Sequence, residues 1–252
     1  MLTPITGNKW LSCPQPGIPA PLRLWCFPFA GGGAAAWHPW APRLSGVAQI
    51  VAFRLPGRES RLAEPPIASP VTLIAALAAE MAPYADETYA VYGHSLGGIL
   101  AFETARELRA RGLPEPRAVV ISGVRAPHLP RTEPDLHHLP AEEFVYQIHH
   151  RYGGIPDEIR DDAEFIELML PALRADLSVY ETYQFRNGAP LNAPLLALGG
   201  FHDATVPREQ ILGWARHTAS RFECEFFPGE HFFVQSHLGA VTQRVRMFLS
   251  QV

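Results

Sequence analysis

One stretch restricts the possible folds of this chain more than any other: a strand-like run, then Gly-x-Ser-x-Gly, then a helix-like run. Residues 88–92 are β-branched or aromatic, and residues 99–111 carry apolar side chains at helical spacing. Between them, Gly93 and Gly97 flank Ser95. The pentapeptide also occurs by chance in loops, but this strand-turn-helix context argues against that. Because a serine hydroxyl reacts only where a base and backbone N–H groups can reach it, the stretch predicts a nucleophile elbow.

Strand-like and helix-like runs alternate from residue 22 to residue 124, which predicts βαβ units and a parallel sheet. The strand-like runs are residues 22–27, 49–53, 88–92, 117–123, 194–200 and 222–227. Helices are predicted at 71–82 and 99–111, with an amphipathic helix over roughly 236–249 closing the chain. The sequence therefore predicts an α/β-hydrolase fold, with a mostly parallel central sheet flanked by helices.

The alternation stops after the strand-like run at 117–123, and no strand-like run occurs between about residues 125 and 188. Two helical runs remain there, at 141–152 and 161–183, and Pro171 is expected to kink the second. The second run is apolar around much of its circumference, so one face is left over after packing on the body. This favours a helical lid insertion over an acyl-binding channel, although a subdomain that packs for stability alone has the same pattern.

Length and composition indicate one domain. The chain has 252 residues and is 47% hydrophobic, which suffices for one sizeable core. We expect a single domain over residues 21–252, with the lid inserted in it. Residues 1–20 are rich in proline and glycine and are predicted to form an extended N-terminal arm.

Charge and cysteine content exclude several functions. A net charge of −4, with 18% charged residues, provides no basic field for nucleic acid or a membrane surface. Cys13, Cys26 and Cys224 have no metal-ligand spacing, and their odd number fits a reduced compartment. No signal peptide or membrane span is recognisable, so we expect a soluble cytoplasmic monomer without metal or cofactor.

A second informative stretch follows the first long strand-like run. Residues 22–27 lead into Pro-Phe-Ala-Gly-Gly-Gly at 28–33, where small residues let backbone N–H groups approach a reacting oxygen. We predict that the N–H groups of Ala30 and Leu96 form an oxyanion hole. A phosphate-binding loop is the alternative, but the spacing of glycines and the Gly-Lys-Ser/Thr ending are missing.

Two further residues complete a catalytic set. Asp203 and His231 each follow a strand-like run, where open α/β sheets place their site residues. With Ser95 they give the order Ser, Asp, His that is typical of α/β-hydrolases. We predict that His231 takes the proton from Ser95 and that Asp203 holds the imidazole in its productive tautomer.

Each of these assignments has a weaker rival. His94 adjoins the nucleophile but is expected to pack beside it, and neither His202 nor His237 follows a clear strand. Asp176, in the lid, could replace Asp203 as the acid of a rearranged triad. The pairs at 137–138 and 149–150 are adjacent histidines without a metal-ligand pattern, so solvent-facing side chains are predicted there.

Several motifs together resemble the type II thioesterases of polyketide and non-ribosomal peptide assembly lines. They are residues 27–32 (FPFAGG), 55–59 (LPGRE), 93–98 (GHSLGG), 170–176 (LPALRAD) and 228–233 (PGEHFF). The resemblance covers about residues 22–250. It implies an editing hydrolase that removes acyl groups from the phosphopantetheine arm of an acyl or peptidyl carrier protein.

The resemblance also bears on individual residues and on the alternatives. Ser95, Asp203 and His231 match the triad of that family, and Ala30 and Leu96 match its oxyanion positions. Thioesterases that release medium-chain acids from fatty-acid synthases share much of the pattern. A general carboxylesterase and a non-catalytic binding protein of the same fold are further alternatives.

Two groups of arginines are candidates for docking an acidic carrier protein. The first group is Arg54, Arg58 and Arg61, and the second is Arg106, Arg109 and Arg111. The first group lies in a loop that is interpreted as solvated, with phosphate binding as the alternative.

Overall fold

The computed structural model describes residues 2–153 and 163–252. Seven strands in this part of the chain form one sheet, in the order β1-β3-β2-β4-β5-β6-β7. They are β1 (Leu11–Ser12), β2 (Leu22–Phe27), β3 (Ala48–Phe53), β4 (Tyr89–His94), β5 (Ala118–Ser122), β6 (Leu195–Gly200) and β7 (Phe222–Phe227). Every pairing is parallel except that of β1 with β3. The predicted α/β-hydrolase fold with a mostly parallel sheet is confirmed.

Helices flank the sheet and connect its strands. The α-helices are α1 (Ala41–Leu44), α2 (Pro70–Met81), α3 (Leu96–Ala110), α4 (Ala141–Tyr152), α5 (Ala163–Thr182), α6 (Arg208–Leu212), α7 (Phe233–Ser236) and α8 (Leu238–Leu249). Short 3₁₀ helices occupy Ala34–Trp40, Glu59–Arg61, Ala82–Tyr84 and Gly213–His217. The helix predicted over roughly 236–249 corresponds to α8, and the short helix α7 directly before it was not predicted. Of the helix predicted over 161–183, the first two residues lie outside the described part of the chain.

Alternating side chains of the strands fill two cores, one on each face of the sheet. On β2, Trp25 and Phe27 point to one core, whereas Leu24 and Cys26 point to the other. The first core packs against α2 and α3, and the second against α1 and α8. Because both faces are covered, the central strands are buried along their whole length.

The N-terminal segment contains a strand that the sequence interpretation did not predict. Leu11 pairs antiparallel with Phe53 at the sheet edge, and the N–H of Arg54 donates to the carbonyl of Trp10 at 2.6 Å. A two-residue strand is too short for a period-2 pattern, and the prolines around it indicated irregular structure.

Between β5 and β6 lies the helical segment that was predicted as a lid. Its helices α4 and α5 share a small apolar core of their own beside the body. Buried side chains from both helices and the preceding loop form it: Leu136, Phe144, Val145, Ile148, Leu173 and Leu177. Within the described residues, no helix is long and apolar enough to cross a membrane.

Candidate active site

Ser95 lies at the turn between β4 and α3, in a strained backbone conformation. Its φ is 53° and its ψ is −126°, a combination that residues with a side chain rarely adopt. The N–H of Ser95 donates to the carbonyl of Ser122 at 2.8 Å, and the carbonyl of Ser95 accepts from the N–H of Gly98 at 2.9 Å. These bonds hold the turn, so the hydroxyl is presented above the carboxyl ends of the strands.

The two glycines of the motif are required because backbone segments pass very close to them. A Cβ atom on Gly93 would lie 1.9 Å from the carbonyl oxygen of Gly97, and one on Gly97 would lie 2.3 Å from that of Phe27. Neither contact can be relieved by a side-chain rotation, because each involves backbone atoms. The sequence pattern therefore has a direct steric cause.

The structure brings the three residues of the predicted triad together. The Nε2 atom of His231 is 3.0 Å from the Oγ atom of Ser95. Its Nδ1 atom is 2.8 Å from the Oδ2 atom of Asp203. Asp203 follows β6 and His231 follows β7, so neighbouring parallel strands deliver them to one edge of the sheet. This is the hydrogen-bond geometry that a serine nucleophile, its base and an orienting acid need.

The second oxygen of Asp203 is also fully engaged. The Oδ1 atom accepts from the hydroxyl of Thr205 at 2.6 Å and from the N–H groups of Thr205 and Val206. Burial on its own would raise the pKa of Asp203, but the hydrogen bond from His231 and the donors of Thr205 lower it below its ordinary value. Asp203 is therefore held ionised. Thr205 was missed in the sequence, although a threonine two residues after an aspartate is a signal for such a turn.

Aromatic rings enclose the imidazole of His231. The rings of Tyr152, Phe232 and His94 have centroids 5.0–5.3 Å from it. His94 is fully buried, its Nδ1 atom is 3.0 Å from the Oγ atom of Ser122, and burial holds its pKa well below the ordinary value. His94 thus packs beside the site as a neutral ring, as the sequence interpretation expected.

A mostly apolar cavity of about 90 Å³ lies between the lid and the nucleophile. Its walls come from the elbow, from the glycine-rich loop and from both lid helices. They include Ala30 and Leu96, the predicted oxyanion donors, next to Ser95 and His231. The lid contributes Ile148, Tyr152, Met169, Leu173, Leu177 and Tyr180. The cavity can hold an apolar acyl group against the serine hydroxyl.

The Nδ1 atom of His231 pairs with Asp203 and not with Asp176, so the interpretation of Asp176 as an alternative acid is wrong. Its carboxylate forms a two-pronged ion pair with Arg58, at 2.6 and 2.8 Å, and accepts from the N–H of Gly31 at 2.8 Å. Burial on its own would lower the pKa of Arg58, but the charge of Asp176 outweighs it and the pKa is raised.

The interpretation of residues 54–61 as a solvated loop is also wrong for two of its three arginines. Arg58 is buried against Asp176, and Arg61 is buried against Glu64 and the ring of Trp10. Neither guanidinium can meet a carrier protein or a phosphate. In the second group, each arginine pairs with a glutamate: Arg106 with Glu103, Arg109 with Glu115 and Arg111 with Glu107.

The adjacent histidines differ in their surroundings. The Nδ1 atom of His137 is 2.5 Å from Glu181 and its side chain is 27% exposed, so this histidine faces solvent only in part. His138 and His150 are exposed, as is His202. Among residues 2–153 and 163–252, no group of three or more potential ligands could hold a metal ion.

Known proteins are similar to this chain over most of its length. A protein-family model described as a thioesterase domain matches residues 22–249. The gramicidin S biosynthesis protein GrsT of Aneurinibacillus migulanus is 36% identical over 227 residues, which are 90% of this chain and 88% of GrsT. The medium-chain S-acyl fatty acid synthase thioesterase of Rattus norvegicus is 32% identical over 233 residues, which are 90% of this chain and 87% of that enzyme.

Solved structures give the same result. The type II thioesterase BorB, from the borrelidin biosynthetic cluster, superposes with a TM-score of 0.88 at 32% identity. The match covers 97% of this chain and 99% of BorB. Lid and body are therefore both included in the similarity.

Proposed function

Because the chain belongs to the thioesterase domain family, we propose that it hydrolyses acyl thioesters on the phosphopantetheine arm of an acyl or peptidyl carrier protein. The resemblance to type II thioesterases seen in the sequence is confirmed by the relatives of polyketide and non-ribosomal peptide pathways. The observation that carries the proposal is the hydrogen-bonded series Ser95, His231, Asp203, which faces an apolar cavity beneath the lid.

In the acylation step, His231 accepts the proton of Ser95 through Nε2 while Oγ attacks the thioester carbon. The ionised Asp203 stabilises the imidazolium through Nδ1 and keeps the ring in one orientation. The N–H groups of Ala30 and Leu96 are assigned to the oxyanion of the tetrahedral intermediate. The proton then passes from His231 to the departing pantetheine thiolate, and the acyl group stays on Ser95.

Deacylation repeats these roles with water as the nucleophile. His231 accepts a proton from water, whose oxygen attacks the acyl carbon. The intermediate collapses with return of that proton to Oγ of Ser95, and the free acid leaves. A hydrolytic outcome fits an editing enzyme, which restores a free carrier arm for further cycles.

The cavity favours a small or linear apolar acyl group over a bulky one, because its volume is only about 90 Å³. The similarity to the rat medium-chain enzyme makes release of fatty acids from a synthase the second candidate function. The two functions use the same chemistry and differ in the carrier protein. The enzyme is assigned to the cytoplasm, where its three unpaired cysteines stay reduced.

Replacement of the nucleophile tests the proposal. The Ser95→Ala variant is expected to lower kcat by about 10⁴-fold or more, since it lacks the hydroxyl that lies 3.0 Å from Nε2 of His231. Turnover should be measured by mass spectrometry of a panel of acyl-carrier proteins, with the free thiol of the arm as the product. Simple oxygen esters serve as competing substrates.

Two outcomes would contradict the proposal. Full activity in the alanine variant would remove Ser95 from the mechanism. Efficient turnover of oxygen esters, with none of carrier-bound thioesters, would identify a general carboxylesterase. A matched control is Ser250→Ala, which changes an exposed serine at the end of α8 and should leave turnover unchanged.

A further inference from the structure

The loop that carries Ala30 is a tight turn with a defined peptide orientation. The N–H of Gly32 donates to the carbonyl of Phe29 at 2.9 Å, and Gly31 has a φ of +74°. A turn closed in this way, with positive φ at its third residue and not at its second, is of type II. The type I alternative has the central peptide, between Ala30 and Gly31, rotated by about half a turn. The N–H of Ala30 lies on the preceding peptide of the same turn, so a fixed central peptide holds the backbone next to that N–H in one conformation.

One carboxylate holds the central peptide in place. The N–H of Gly31 donates to the Oδ2 atom of Asp176 at 2.8 Å. Rotation of the peptide would withdraw that N–H from a carboxylate whose side chain is only 2% exposed, and the loss of a hydrogen bond to a buried acceptor is costly. The bond thus favours the type II turn over its alternative.

Arg58 joins the same arrangement from a second loop. Its Nη1 atom donates to Asp176 and to the carbonyl of Gly32 at 2.9 Å, so one guanidinium links the carboxylate to the next peptide of the turn. The guanidinium of Arg58 also has an electrostatic role. A lone carboxylate near the oxyanion hole would oppose the negative charge that develops there, and the guanidinium neutralises it.

The carboxylate belongs to the lid and not to the body. Asp176 and Leu173 lie one turn apart on α5, on the same face. Leu173 lines the acyl cavity, and its Cδ1 atom would lie 3.1 Å from a Cβ atom built on Gly31. Two successive residues of one helix face therefore contact the same glycine, one by packing and one by a hydrogen bond.

We infer that Asp176 is a positioning residue through which the docked lid helix sets the geometry of the oxyanion hole, with Arg58 as its partner. This rests on the proposed function. When α5 is docked on the body, it covers the acyl cavity and fixes the turn at Gly31 at the same time. Displacement of α5 removes the acceptor of the Gly31 N–H, so an open lid disables transition-state stabilisation as well as acyl binding.

A matched pair of double variants tests this role. Arg58→Met with Asp176→Asn keeps an oxygen that can accept from Gly31, whereas Arg58→Met with Asp176→Leu has the same shape without that oxygen. Both variants lack the ion pair, so neither has an unpaired buried charge. Both variants also lose the bond from Arg58 to the Gly32 carbonyl, so the comparison between them isolates the oxygen that accepts from Gly31. The second is expected to have a kcat about 10- to 100-fold lower than the first, with little difference in KM.

A trifluoromethyl ketone with an alkylthio chain separates positioning from general damage. Its carbonyl carbon forms a bond with Oγ of Ser95, the hydroxyl proton goes to His231, and the carbonyl oxygen becomes an alkoxide in the oxyanion hole. The inhibition constant should weaken by the same factor as kcat in the leucine variant. The corresponding methyl ketone, which stays uncharged, should bind equally to both variants.

Glu181→Gln is the control on the same helix, because Glu181 is buried and accepts from the N–H groups of residues 136 and 137 without contacting the turn. The inhibition constant of the trifluoromethyl ketone should be unchanged in this variant.

Equal kcat and equal ketone affinity in the two double variants would overturn the inference. Should the leucine variant not fold, Arg58→Met with Asp176→Ala replaces it, because it also lacks the acceptor oxygen, and a ketone affinity equal to that of the asparagine variant would overturn the inference too. If the wild-type protein did not hydrolyse carrier-bound thioesters, the proposed function would be contradicted instead.

Discussion

Ser95 shows how a single residue depends on its neighbours for its reactivity. Its strained backbone is stabilised by hydrogen bonds to Ser122 and Gly98, and the close approach of the chain at Gly93 leaves no room for a side chain. The strain is local, and the buried strand and helix on either side of the turn hold it in place.

The steric demand at Gly93 gives a prediction on stability. The Gly93→Ala variant is expected to lose about 3 kcal/mol or more of unfolding free energy, because the new Cβ atom must displace the backbone of the elbow. Denaturant unfolding, followed by circular dichroism, measures the change. The control is Gly239→Ala at the start of α8, where no atom lies within 4 Å of the new Cβ. Equal stability of the two variants would contradict the steric explanation.

At the scale of elements, helix α5 combines tasks that the sequence presents as one apolar run. Leu173 and Leu177 form cavity wall, Asp176 holds the turn at Gly31, and Glu181 fastens the preceding lid loop. Successive turns of one helix therefore connect the cavity wall, the turn that carries the proposed oxyanion donor and the lid structure. Pro171 lies within this helix, near its cavity-lining residues.

The 3₁₀ helix Gly213–His217 carries a buried histidine that should make the unfolding free energy depend on pH. His217 is buried among Phe102, Trp214 and Phe185, and its Nε2 atom is 2.8 Å from His128. Burial, followed by the nearby charges of His128, Arg106 and Arg216, lowers its pKa from 6.5 to about 4.

In the unfolded chain His217 takes up a proton below its ordinary pKa of 6.5, while the folded protein does so only near 4. The unfolding free energy should therefore fall as the pH drops through this window, by roughly 2 kcal/mol after allowance for solvent screening. His217→Phe should flatten this part of the curve, measured by denaturant unfolding at each pH. His38→Gln, at an exposed histidine, should leave the slope as it is. A slope that persists in His217→Phe would assign the effect to other groups.

At the scale of the whole molecule, the substrate space lies between two units that each have their own apolar core. The body supplies Ser95, His231 and the loop at Ala30, which are the proposed nucleophile, base and oxyanion loop, and the lid supplies most of the apolar wall. Because the cavity is small, residues of the lid should control the length of the acyl chain that fits.

Met169 is the cavity residue chosen to test that control. The Met169→Ala variant should enlarge the cavity and raise kcat/KM for longer acyl chains by about fourfold per added methylene that it can bury. A series of acyl-pantetheine thioesters of increasing length measures the shift. Leu168→Ala, at a neighbouring lid residue that is half exposed and does not line the cavity, should leave the preference unchanged. The same shift in both variants would contradict a specific role for Met169.

The sequence by itself determined the class of fold and the identities of the residues that meet at the site. Hydrophobic periodicity located the long strands and helices, and Ser95, Asp203 and His231 each followed a strand-like run. In a parallel sheet the carboxyl ends of strands share one edge, so local position along the chain was enough to bring these residues together.

The tertiary structure alone decided what the charged residues of the loops and the lid do. Arg58 and Asp176 are 118 positions apart in the sequence. The residues around each of them carry no pattern that predicts a buried ion pair between the two. An isolated arginine in a polar loop is expected in solvent, because a charge is buried only where a partner compensates it. The fold supplies that partner from a distant helix, and for this reason the bonds that Asp176 and Arg58 make with the turn at Gly31 and Gly32 were visible only in three dimensions.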